Sequence, residues 1–517
     1  AAADNWIAGK QFLATSAPRI AVGMQSRWNR EGDGGHWSLL NDLSSLCRQA
    51  ALAAEASTTL GSAADMVKAY AGEWSRIDRL HLGVREIYSQ YPGLEAVREL
   101  ADRAYFEYVA AVNDRFAELV EVEQTWPPSG AVGVAALRAT VWEGERERKA
   151  VIVSDALRWD LGQQVAEQVG DGCKVSPVIS TLPSITPFGM TAMLPLREGE
   201  PQVKWAGGPT IKDRAGHSLA ERSGRRGLIE EVLKSQGRTV SFVEMTALLR
   251  SKKAPAGDLV LVFDTNIDSQ GHKAVENLPA VARKLVADIR RSIEKLHASA
   301  ISTVHVLTDH GFLLLEPEHV RSLGQPEAAI IQFTKRESRW GALKPDATAE
   351  GLIRLPLPLA PEAGALGLPR GVRTLESPEP YMHGGLSLQE CVIPHLVAVA
   401  AMPVATVLPS LGVAAPRLTG GTVAFTLKPA PLQKVPLAGI RPRAVRLLLE
   451  TAADPPLSLA AAKEEELRQE MPEIKGAIYI EEGLNLSAGA SLRLRCLDRD
   501  TGEELASVSL TLAVDWE

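Results

Sequence analysis

The first 125 residues carry apolar side chains at three- and four-residue spacing, which is the period of amphipathic helices. This spacing predicts helices over 38–56, 62–91 and 94–123. The Tyr-Pro-Gly sequence at 91–93 interrupts the pattern and is typical of a turn between antiparallel helices. We therefore expect a helical bundle at 1–130 that ends in a linker at 125–130. Its packing should include the aromatic residues Trp74, Tyr88, Tyr105, Phe106 and Tyr108.

From about residue 148 the pattern changes, and short continuous apolar runs alternate with helical segments. The runs predict strands at 150–155, 238–244, 258–264 and 302–309. The helical segments are 159–170 and 277–298. Buried strands that alternate with helices indicate a mostly parallel sheet sandwiched by helices, and we assign this domain to residues 145–402. The proline-rich segment 353–380 is expected to be a long ordered loop.

After residue 403 apolar and polar residues alternate, which is typical of half-buried strands. The alternation predicts strands at 422–427, 444–450, 476–480, 491–497 and 504–514. The polar sequence at 498–503 should form a hairpin turn between the last two strands. The fold class is therefore α/β, with an N-terminal helical domain and a C-terminal β-sandwich domain at 403–517.

The composition agrees with a globular protein of several domains. The 517 residues correspond to about three domains, and 45% of them are hydrophobic while 23% are charged. The net charge of −7 argues against a broadly basic surface that coats nucleic acid. No apolar run reaches the ~18 residues of a membrane span, and the first residues lack the features of a signal peptide. The chain begins with Ala rather than Met, as a piece of a longer protein would.

The four cysteines are scattered along the chain and form no CxxC pair. They are Cys47, Cys173, Cys391 and Cys496. This spacing favours reduced thiols over a disulfide framework or a zinc knuckle. We therefore expect a cytoplasmic protein that has no membrane partner.

Five separate stretches carry side chains that bind metal ions. In chain order these residues are Asp155, Thr186, Asp268, His272, Asp309, His310 and His383. Asp155 and Asp309 each follow an apolar strand, so both carboxylates should lie at the edge of the sheet where ligands gather. A single Asp in this position is more often a helix cap or a turn residue. Two of them, one with an adjacent His, favour a site for divalent cations.

Thr186 is followed by Pro187 and a short helical pattern, which predicts that Thr186 is the N-cap of a helix. The free N–H groups of a helix N-terminus suit a phosphate. A hydroxyl there is a simple cap, or a nucleophile if a metal lowers its pKa. Ser184 and Thr181 are rival nucleophiles.

Asp268 and His272 are four residues apart, which places them on one side of a helical turn. His383 precedes two glycines, which suggest a tight turn. Each motif is weak alone, since Asp and His pairs are common on protein surfaces. Together, Asp268, His272 and His383 complete a second half of a metal site.

The order of these motifs resembles the alkaline-phosphatase superfamily of two-metal phosphate- and sulfate-transfer enzymes. Within that superfamily, the sequences SDALRWD, LPSITPFGM, LTDHGF and HGGLSLQE most resemble the PglZ family of bacterial BREX-type phage-defence systems. The resemblance covers about 148–400, and the C-terminal β-domain also fits it. It implies an alkaline-phosphatase-like fold, a cytoplasmic hydrolase and other defence-system proteins as partners. The helical N-terminal region carries no motif of the family.

The resemblance also implies residue roles. Asp155, Thr186, Asp309 and His310 would surround one divalent metal, and Asp268, His272 and His383 would hold another. Two metals ~4 Å apart would clamp the attacking and leaving oxygens, and Thr186 would form a phosphothreonine. The mixed Asp and His ligands suit zinc best, with manganese as the alternative. Arg158 would contact substrate phosphate, or else form an ion pair on the helix surface.

One feature departs from the superfamily, where the nucleophile's helix often ends in a small residue and a glycine. Here the corresponding sequence is MLPLREG, which puts the far wall of the pocket and the substrate class in doubt.

An insertion at 204–226 carries a net positive charge and suggests the substrate. Its basic residues are Lys204, Lys212, Arg214, Arg222, Arg225 and Arg226, and Lys252 and Lys253 form a second basic spot. Such blocks are commonly solvated loops, but beside a phosphotransfer site they suit a phosphodiester backbone. We therefore favour a metal-dependent phosphodiesterase or nuclease that acts on nucleic acid or oligonucleotides. The alternatives are a phosphomonoesterase or phosphomutase of the same superfamily, and a scaffold subunit of a defence complex with a vestigial metal site.

Overall fold

A computed structural model of the chain describes residues 2–25, 35–90, 93–142, 148–205, 209–324, 330–332, 339–344, 346–400, 405–431 and 440–517. These residues form two compact units, 1–399 and 400–517. No helix within the described ranges is long and apolar enough to cross a membrane.

The N-terminal region is helical, as the spacing of its apolar residues predicts. Its helices are α1 (Ala2–Gln25), α2 (Gly35–Ser57), α3 (Ala63–Ala69), α4 (Ser75–Gln90) and α5 (Glu95–Glu123). A π-helical turn, Tyr70–Trp74, joins α3 to α4. Three of the five predicted packing aromatics, Trp74, Tyr105 and Tyr108, are buried, and Tyr88 and Phe106 pack against the same core.

A six-stranded sheet forms the centre of the first unit. Its strands are β1 (Lys149–Ser154), β2 (Cys173–Ile179), β5 (Val240–Glu244), β6 (Leu259–Asp264), β7 (Thr303–Leu307) and β14 (Val392–Val399). The strand order is β2-β14-β7-β1-β6-β5, and β14 alone runs antiparallel to its neighbours. The predicted mostly parallel sheet is confirmed.

Helices cover both faces of this sheet. They are α6 (Leu137–Trp142), α7 (Trp159–Val169), α8 (Thr186–Ala192), α9 (Arg222–Ser235), α10 (Met245–Arg250), α11 (Asn266–Lys273), α12 (Leu278–Ala298) and α13 (Leu388–Cys391). Alternate residues of β1 enter different cores: Val151 and Val153 pack with the N-terminal helices, and Ala150 and Ile152 pack with α12. This double burial explains why β1 is apolar without alternation. The N-terminal helices and the sheet therefore share one hydrophobic core.

Two segments expected to be irregular are more ordered than the sequence suggests. The segment 353–380 contains strands, so the prediction of a long loop is wrong. It holds most of β11 (Leu352–Pro356) and all of β12 (Ala365–Pro369), which pair with β10 (Gly341–Leu343) and β9 (Ile330–Gln332) in an antiparallel sheet. Prolines end β11 and β12, where they interrupt little of the ladder. In the predicted linker, the indole of Trp126 donates to the carbonyl of Ser180 at 2.8 Å.

The remaining short strands that the structure describes in the first unit form two antiparallel pairs. β3 (Gln202–Lys204) pairs with β4 (Thr210–Lys212), and β8 (Leu313–Leu314) pairs with β13 (Tyr381–Met382). The basic insertion begins at Lys204, the last residue of β3, contains β4 and ends within α9.

The second unit is a β-sandwich, as predicted. One sheet contains β17 (Arg417–Leu418), β20 (Arg443–Thr451), β21 (Lys463–Leu467), β23 (Ser491–Asp498) and β24 (Glu504–Leu512). The other contains β16 (Pro409–Val413), β18 (Thr422–Pro429) and β22 (Ile474–Tyr479), and a further pair joins β15 (Ala405–Thr406) to β19 (Ile440–Arg441). Inward-facing residues of the two larger sheets form one core. β23 and β24 are antiparallel across the predicted hairpin turn.

Candidate metal centre

Three carboxylates lie at one edge of the central sheet. β1 is flanked by β7 and β6, and Asp155 follows β1 while Asp309 follows β7. The amide of Asp155 donates to the carbonyl of Asp264, the last residue of β6, at 2.9 Å. α11 begins two residues later and carries Asp268 in its first turn. The parallel strands thus bring residues from three distant stretches to the same edge.

Asp155, Asp309 and His310 form the first group of ligands, and their ligand atoms lie within 4.8 Å of one another. Nε2 of His310 is 3.7 Å from Oδ1 of Asp155 and 3.5 Å from Oδ2 of Asp309. Nδ1 of the same ring is 2.9 Å from the carbonyl oxygen of Gly311. A carbonyl can only accept, so Nδ1 carries the proton and Nε2 presents a lone pair to the carboxylates.

Asp268, His272 and His383 form the second group. Oδ1 of Asp268 is 3.5 Å from Nε2 of His272 and 3.5 Å from Nε2 of His383, and the two imidazole nitrogens are 3.2 Å apart. The ring of His310 stacks on that of His383 with centroids 4.2 Å apart. The ligand atoms of Asp268, His310 and His383 also fall within 4.8 Å of one another. The two groups therefore adjoin, with His310 at their border.

The first group has a carboxylate oxygen without a hydrogen-bond partner in the described part of the chain and mutually repelling carboxylates, and both features fit a bound cation. Oδ2 of Asp309 is buried and has no hydrogen-bond partner among the described residues, while Oδ1 accepts from the amides of Ala156 and His310. Burial raises the pKa of Asp155, and the negative charges of Asp309 and Asp268 raise it further. A divalent cation would pair with the orphaned oxygen and offset this repulsion.

In the second group, neighbouring residues lower the pKa of the carboxylate instead of raising it. Burial by itself would raise the pKa of Asp268, but the hydrogen bond to His272 and the charges of His383 and His310 hold it well below its usual range. Asp268 is therefore a carboxylate among imidazoles. Together the two groups supply three carboxylates and three imidazoles, a donor set that divalent metals of the zinc type accept.

Thr186 lies beside the first group. Its Oγ1 is 3.2 Å from Nε2 of His310 and 3.4 Å from Oδ1 of Asp155. The prediction that Thr186 is an N-cap is wrong, because the N-cap is Ile185 and the Thr186 side chain makes no capping bond. Pro187 is then the second helical residue, where its missing N–H is also tolerated. The Thr186 hydroxyl is consequently turned toward the ligands and away from its own helix.

The rival hydroxyls are placed differently. Ser184 is fully buried, donates to the carbonyl of Gly385 at 2.8 Å and accepts from the amide of Gly384 at 3.2 Å. Its carbonyl is 3.3 Å from Nδ1 of His383. Ser184 thus holds the loop that carries His383. Among the hydrogen bonds of the described residues, neither its hydroxyl nor that of Thr181 contacts the seven predicted site residues.

The structure keeps Arg158 away from any position open to substrate. Its side chain is 0% exposed, and Nε and Nη2 donate to the carboxylate of Asp160 at 2.5 and 3.1 Å. The guanidinium lies 4.6 Å from the centroid of the Phe312 ring. The expected contact with substrate phosphate and the expected surface ion pair are therefore both wrong. The ion pair of Arg158 is buried, and the acidic residues Asp78 and Asp160 are buried with it.

The loop of His383 depends on residues that sequence reasoning missed. Arg339 and Glu390 form a fully buried ion pair with an N–O distance of 2.5 Å. Glu390 also accepts from the amide of Gly385 at 2.9 Å. Gly384 has a φ of +108°, and a Cβ on Gly385 would lie 2.7 Å from Nε of Arg339. The two glycines after His383 are the signal in the sequence that this turn packs closely.

The fold and this cluster define an alkaline-phosphatase-like domain, the architecture of a superfamily whose members use divalent metals. The family model of the BREX system PglZ alkaline phosphatase-like domain matches residues 136–398. The chain belongs to the PglZ family. The resemblance seen in the sequence is confirmed.

One curated relative is similar to the chain at low identity. The alkaline phosphatase-like protein PglZ of Bacillus cereus (strain H3081.97) is 22% identical over 361 residues, which are 64% of this chain and 41% of that protein. The chain thus spans about two-fifths of the length of this curated relative.

Two solved structures are also similar to part of the chain. Murine ectonucleotide pyrophosphatase/phosphodiesterase 5 has a TM-score of 0.35 and 12% identity, covering 49% of this chain and 88% of that one. A phosphonoacetate hydrolase from Sinorhizobium meliloti has a TM-score of 0.36 and 12% identity, covering 49% and 90%.

Proposed function

We propose that this chain is a metal-dependent phosphodiesterase or nuclease of a BREX-like phage-defence system, with Thr186 as its nucleophile. The observation that carries the proposal is the position of the Thr186 hydroxyl, within 3.4 Å of both His310 and Asp155. A purely structural metal site would not need a hydroxyl among its ligands. We assign one divalent ion to Asp155, Thr186, Asp309 and His310, and a second to Asp268, His272 and His383.

Divalent ions in these two groups, zinc or manganese, would supply Lewis-acid stabilisation of the phosphate oxygens and lower the pKa of the Thr186 hydroxyl. Oγ1 of Thr186 loses its proton to solvent and attacks phosphorus, and the bond from phosphorus to the leaving oxygen breaks, so that this oxygen takes a proton from solvent and leaves as an alcohol. Water then attacks the phosphothreonine diester, the bond from phosphorus to Oγ1 breaks, and a phosphomonoester leaves as Oγ1 regains a proton. The amide of Gly311, held by the Glu390 carbonyl at 2.8 Å, keeps the His310 stretch in place throughout.

Arginines at the start of α9 support a phosphodiester as the substrate class. Burial lowers the pKa of Arg225, while the charges of Asp309 and Asp155 act against that, which indicates that the guanidinium lies within electrostatic reach of the first ligand group. Its Nη1 donates to the carbonyls of Leu219 and Ala220 at 3.1 and 2.7 Å. A fixed cation beside the metal centre suits a phosphate oxygen of a diester.

Two neighbouring arginines lie beside this cation, and one of them, Arg222, also forms an ion pair with Glu244. The guanidinium of Arg222 lies 4.3 Å from the ring centroid of Phe263, and that of Arg226 lies 4.3 Å from the ring centroid of Phe242. The two phenylalanine rings stack at 6.2 Å. The stacking holds both arginines near the carboxyl ends of β5 and β6, which supports a partner with several phosphates, as in nucleic acid or an oligonucleotide. Other BREX proteins are the proposed protein partners.

The test uses bis-p-nitrophenyl phosphate, p-nitrophenyl phosphate and plasmid DNA, each with zinc or manganese and with a chelator. We expect turnover of the diester and the DNA that the chelator and Thr186→Ala abolish. Thr210→Ala, which changes an exposed threonine of the basic insertion, is the matched control and should keep activity. Arg225→Ala should weaken DNA turnover about ten-fold, while removal of the other basic spot by Lys252→Ala should not.

Other outcomes would contradict the proposal in different ways. A preference for the monoester would favour a phosphomonoesterase or phosphomutase. If no substrate turns over while the protein still binds metal, the chain is a scaffold subunit with a vestigial metal site.

A further inference from the structure

Asp78 lies on α4, fully buried, and joins the N-terminal helices to the loops of the metal ligands. Its Oδ1 accepts from the hydroxyl of Tyr105 at 2.5 Å and from Nε2 of Gln389 at 3.5 Å. The backbone carbonyl of Asp78 accepts from Nη2 of Arg158 at 3.4 Å, whereas Oδ2 of its carboxylate is buried without a hydrogen-bond partner among the described residues. Burial raises the pKa of Asp78 to about 6, and the charge of Arg158 opposes this rise. The carboxylate of Asp78 and the guanidinium of Arg158 therefore lie within electrostatic reach of each other in the core.

Arg158 connects both stretches of the first ligand group. It lies three residues after Asp155, and its guanidinium packs on the ring of Phe312, two residues after His310. A Cβ on Gly311 would lie 3.4 Å from Cγ of Arg158, so the arginine stem packs directly on this stretch. Arg158 therefore contacts the loop after β7 and belongs to the loop after β1, so its position affects both loops.

The π-helical turn of the N-terminal region is hydrogen-bonded to α7, the helix that follows Asp155. The carbonyl of Ala71 accepts from Nε1 of Trp159 at 3.0 Å and from Nε2 of Gln163 at 3.1 Å. The hydroxyl of Ser75 donates to Oε1 of the same glutamine at 2.8 Å. A π turn disturbs the regular helical ladder, which leaves a carbonyl available for such partners.

The third connection runs through Asn113 on α5. Its Nδ2 donates to Oε1 of Gln389 at 2.9 Å, and its Oδ1 accepts from the amide of Leu388 at 2.8 Å. The next residue, Glu390, accepts the amide of Gly311 through its carbonyl. Three separate contacts of the helical region therefore end on the segments that hold Asp155, His310 and His383.

We propose that the N-terminal helical region is a built-in part of the metal centre, with Asp78 as a positioning residue that sets the Asp155 loop through Arg158. The loop needs such support, because Ala156 has a φ of +60°, a region that is unfavourable for a residue with a Cβ. Among the described residues, the amides of Ala156 and Leu157 donate to side chains of the neighbouring loop, Asp309 and Thr308 respectively. The effect on metal binding rests on the proposed function, whereas the effect on the loop does not.

The first arm of the test measures amide hydrogen exchange on the metal-free full chain. Asp78→Asn should speed exchange of the Ala156 and Leu157 amides at least ten-fold and leave the amides of α11 unchanged. Arg79→Ala is the matched control, because Arg79 is the next residue on α4 and its exposed ion pair with Glu167 links the same two helices. If Asp78→Asn does not fold, Tyr105→Phe removes one hydrogen bond of Asp78 and should give a smaller acceleration, about three-fold. Unchanged exchange at Ala156 and Leu157, or equal acceleration in α11, overturns the proposal.

The second arm titrates zinc into the same proteins after chelator treatment. Asp78→Asn should weaken one zinc site about ten-fold and leave the other unchanged, since outer partners of ligands commonly contribute this much. Equal weakening of both sites contradicts a role directed at Asp155. A wild-type chain that binds no zinc would contradict the proposed metal centre, and the exchange arm would still decide the role of Asp78.

Discussion

Gly189 and Asp309 are in direct backbone contact: a Cβ on Gly189 would lie 2.6 Å from the carbonyl oxygen of Asp309 and 2.7 Å from its Cβ. Gly189 is on α8, three residues after Thr186, and Asp309 ends the β7 stretch. Only a residue without a side chain allows the nucleophile's helix to approach the ligand this closely. The separation between Thr186 and the first ligand group therefore depends on Gly189.

Gly189→Ala should separate α8 from the Asp309 loop. We expect a loss of about 2 kcal/mol in the free energy of unfolding, typical of overpacking, and a fall in phosphodiesterase activity of about 100-fold. Urea unfolding and diester turnover measure the two effects. Gly227→Ala is the control, because Gly227 lies in α9 with nothing within 4 Å of an added Cβ. It should raise stability by up to about 1 kcal/mol and keep activity.

The ligand residues are easier to predict from the sequence than the residues that support them. Asp155 and Asp309 follow apolar strands, so the rule for parallel sheets brings them together without knowledge of the fold. Gly189, Arg339 and Glu390 carry no such pattern, because their roles arise from contacts between segments far apart in the chain. For Arg158 the sequence suggested a contact with substrate that the structure does not show. Its nearness to Asp155 in sequence does not determine the direction of its side chain.

Asp155→Asn should stabilise the metal-free protein while removing its response to metal. The substitution removes a buried charge that Asp309 and Asp268 repel, so we expect a gain of about 1 kcal/mol in chelator. In zinc the wild type should gain about 3 kcal/mol at a hundredfold excess over the dissociation constant, and the variant much less. Thermal unfolding with and without chelator measures both. A lower stability of the variant in chelator would argue against repulsion within the first ligand group.

Glu390→Gln should loosen the loop of His383. The change leaves the guanidinium of Arg339 buried without its anion, which commonly destabilises a protein by about 3–5 kcal/mol. Zinc affinity should fall as well, because Gly385 loses an anionic acceptor for its amide. Chemical unfolding and zinc titration are the measurements. Glu482→Gln, an exposed site in the C-terminal unit, is the control, and an equal loss there would remove the support for this role.

Acid should destabilise the central sheet through His305 on β7 and His395 on β14. Their nitrogens are 3.1 Å apart, and burial lowers the pKa of each to about 4. In the unfolded chain each pKa is near 6.5, so below that value the unfolded state binds more protons than the folded state. The stability present above pH 6.5 is lost as the pH falls toward 4, by up to about 3 kcal/mol per histidine.

Urea unfolding in chelator at pH 7.5 and 5.5 measures this dependence. His395→Gln should reduce the difference between the two pH values by about a third, because burial also lowers the pKa of His81 to about 4. An unchanged difference would mean that other groups control the acid sensitivity.

The fold was predictable in segments whose apolar residues follow a single period. The N-terminal helices, the buried strands and the alternating strands of the second unit follow from spacing alone. The strands within 353–380 were not predictable, because the prolines of this segment suggest a loop. The sheet that contains β11 and β12 also depends on strands elsewhere in the chain. The shared core of the N-terminal helices and the sheet was also hidden, since an apolar stripe does not reveal what it packs against.

Anomalous diffraction from crystals grown with zinc tests most directly whether two divalent ions lie beside Thr186. We expect two peaks, one at Asp155, Thr186, Asp309 and His310 and the other at Asp268, His272 and His383. Crystals of Asp309→Ala should lose the first peak and keep the overall fold. A single peak, no peak at these residues, or two peaks retained in Asp309→Ala would contradict the proposed two-metal site.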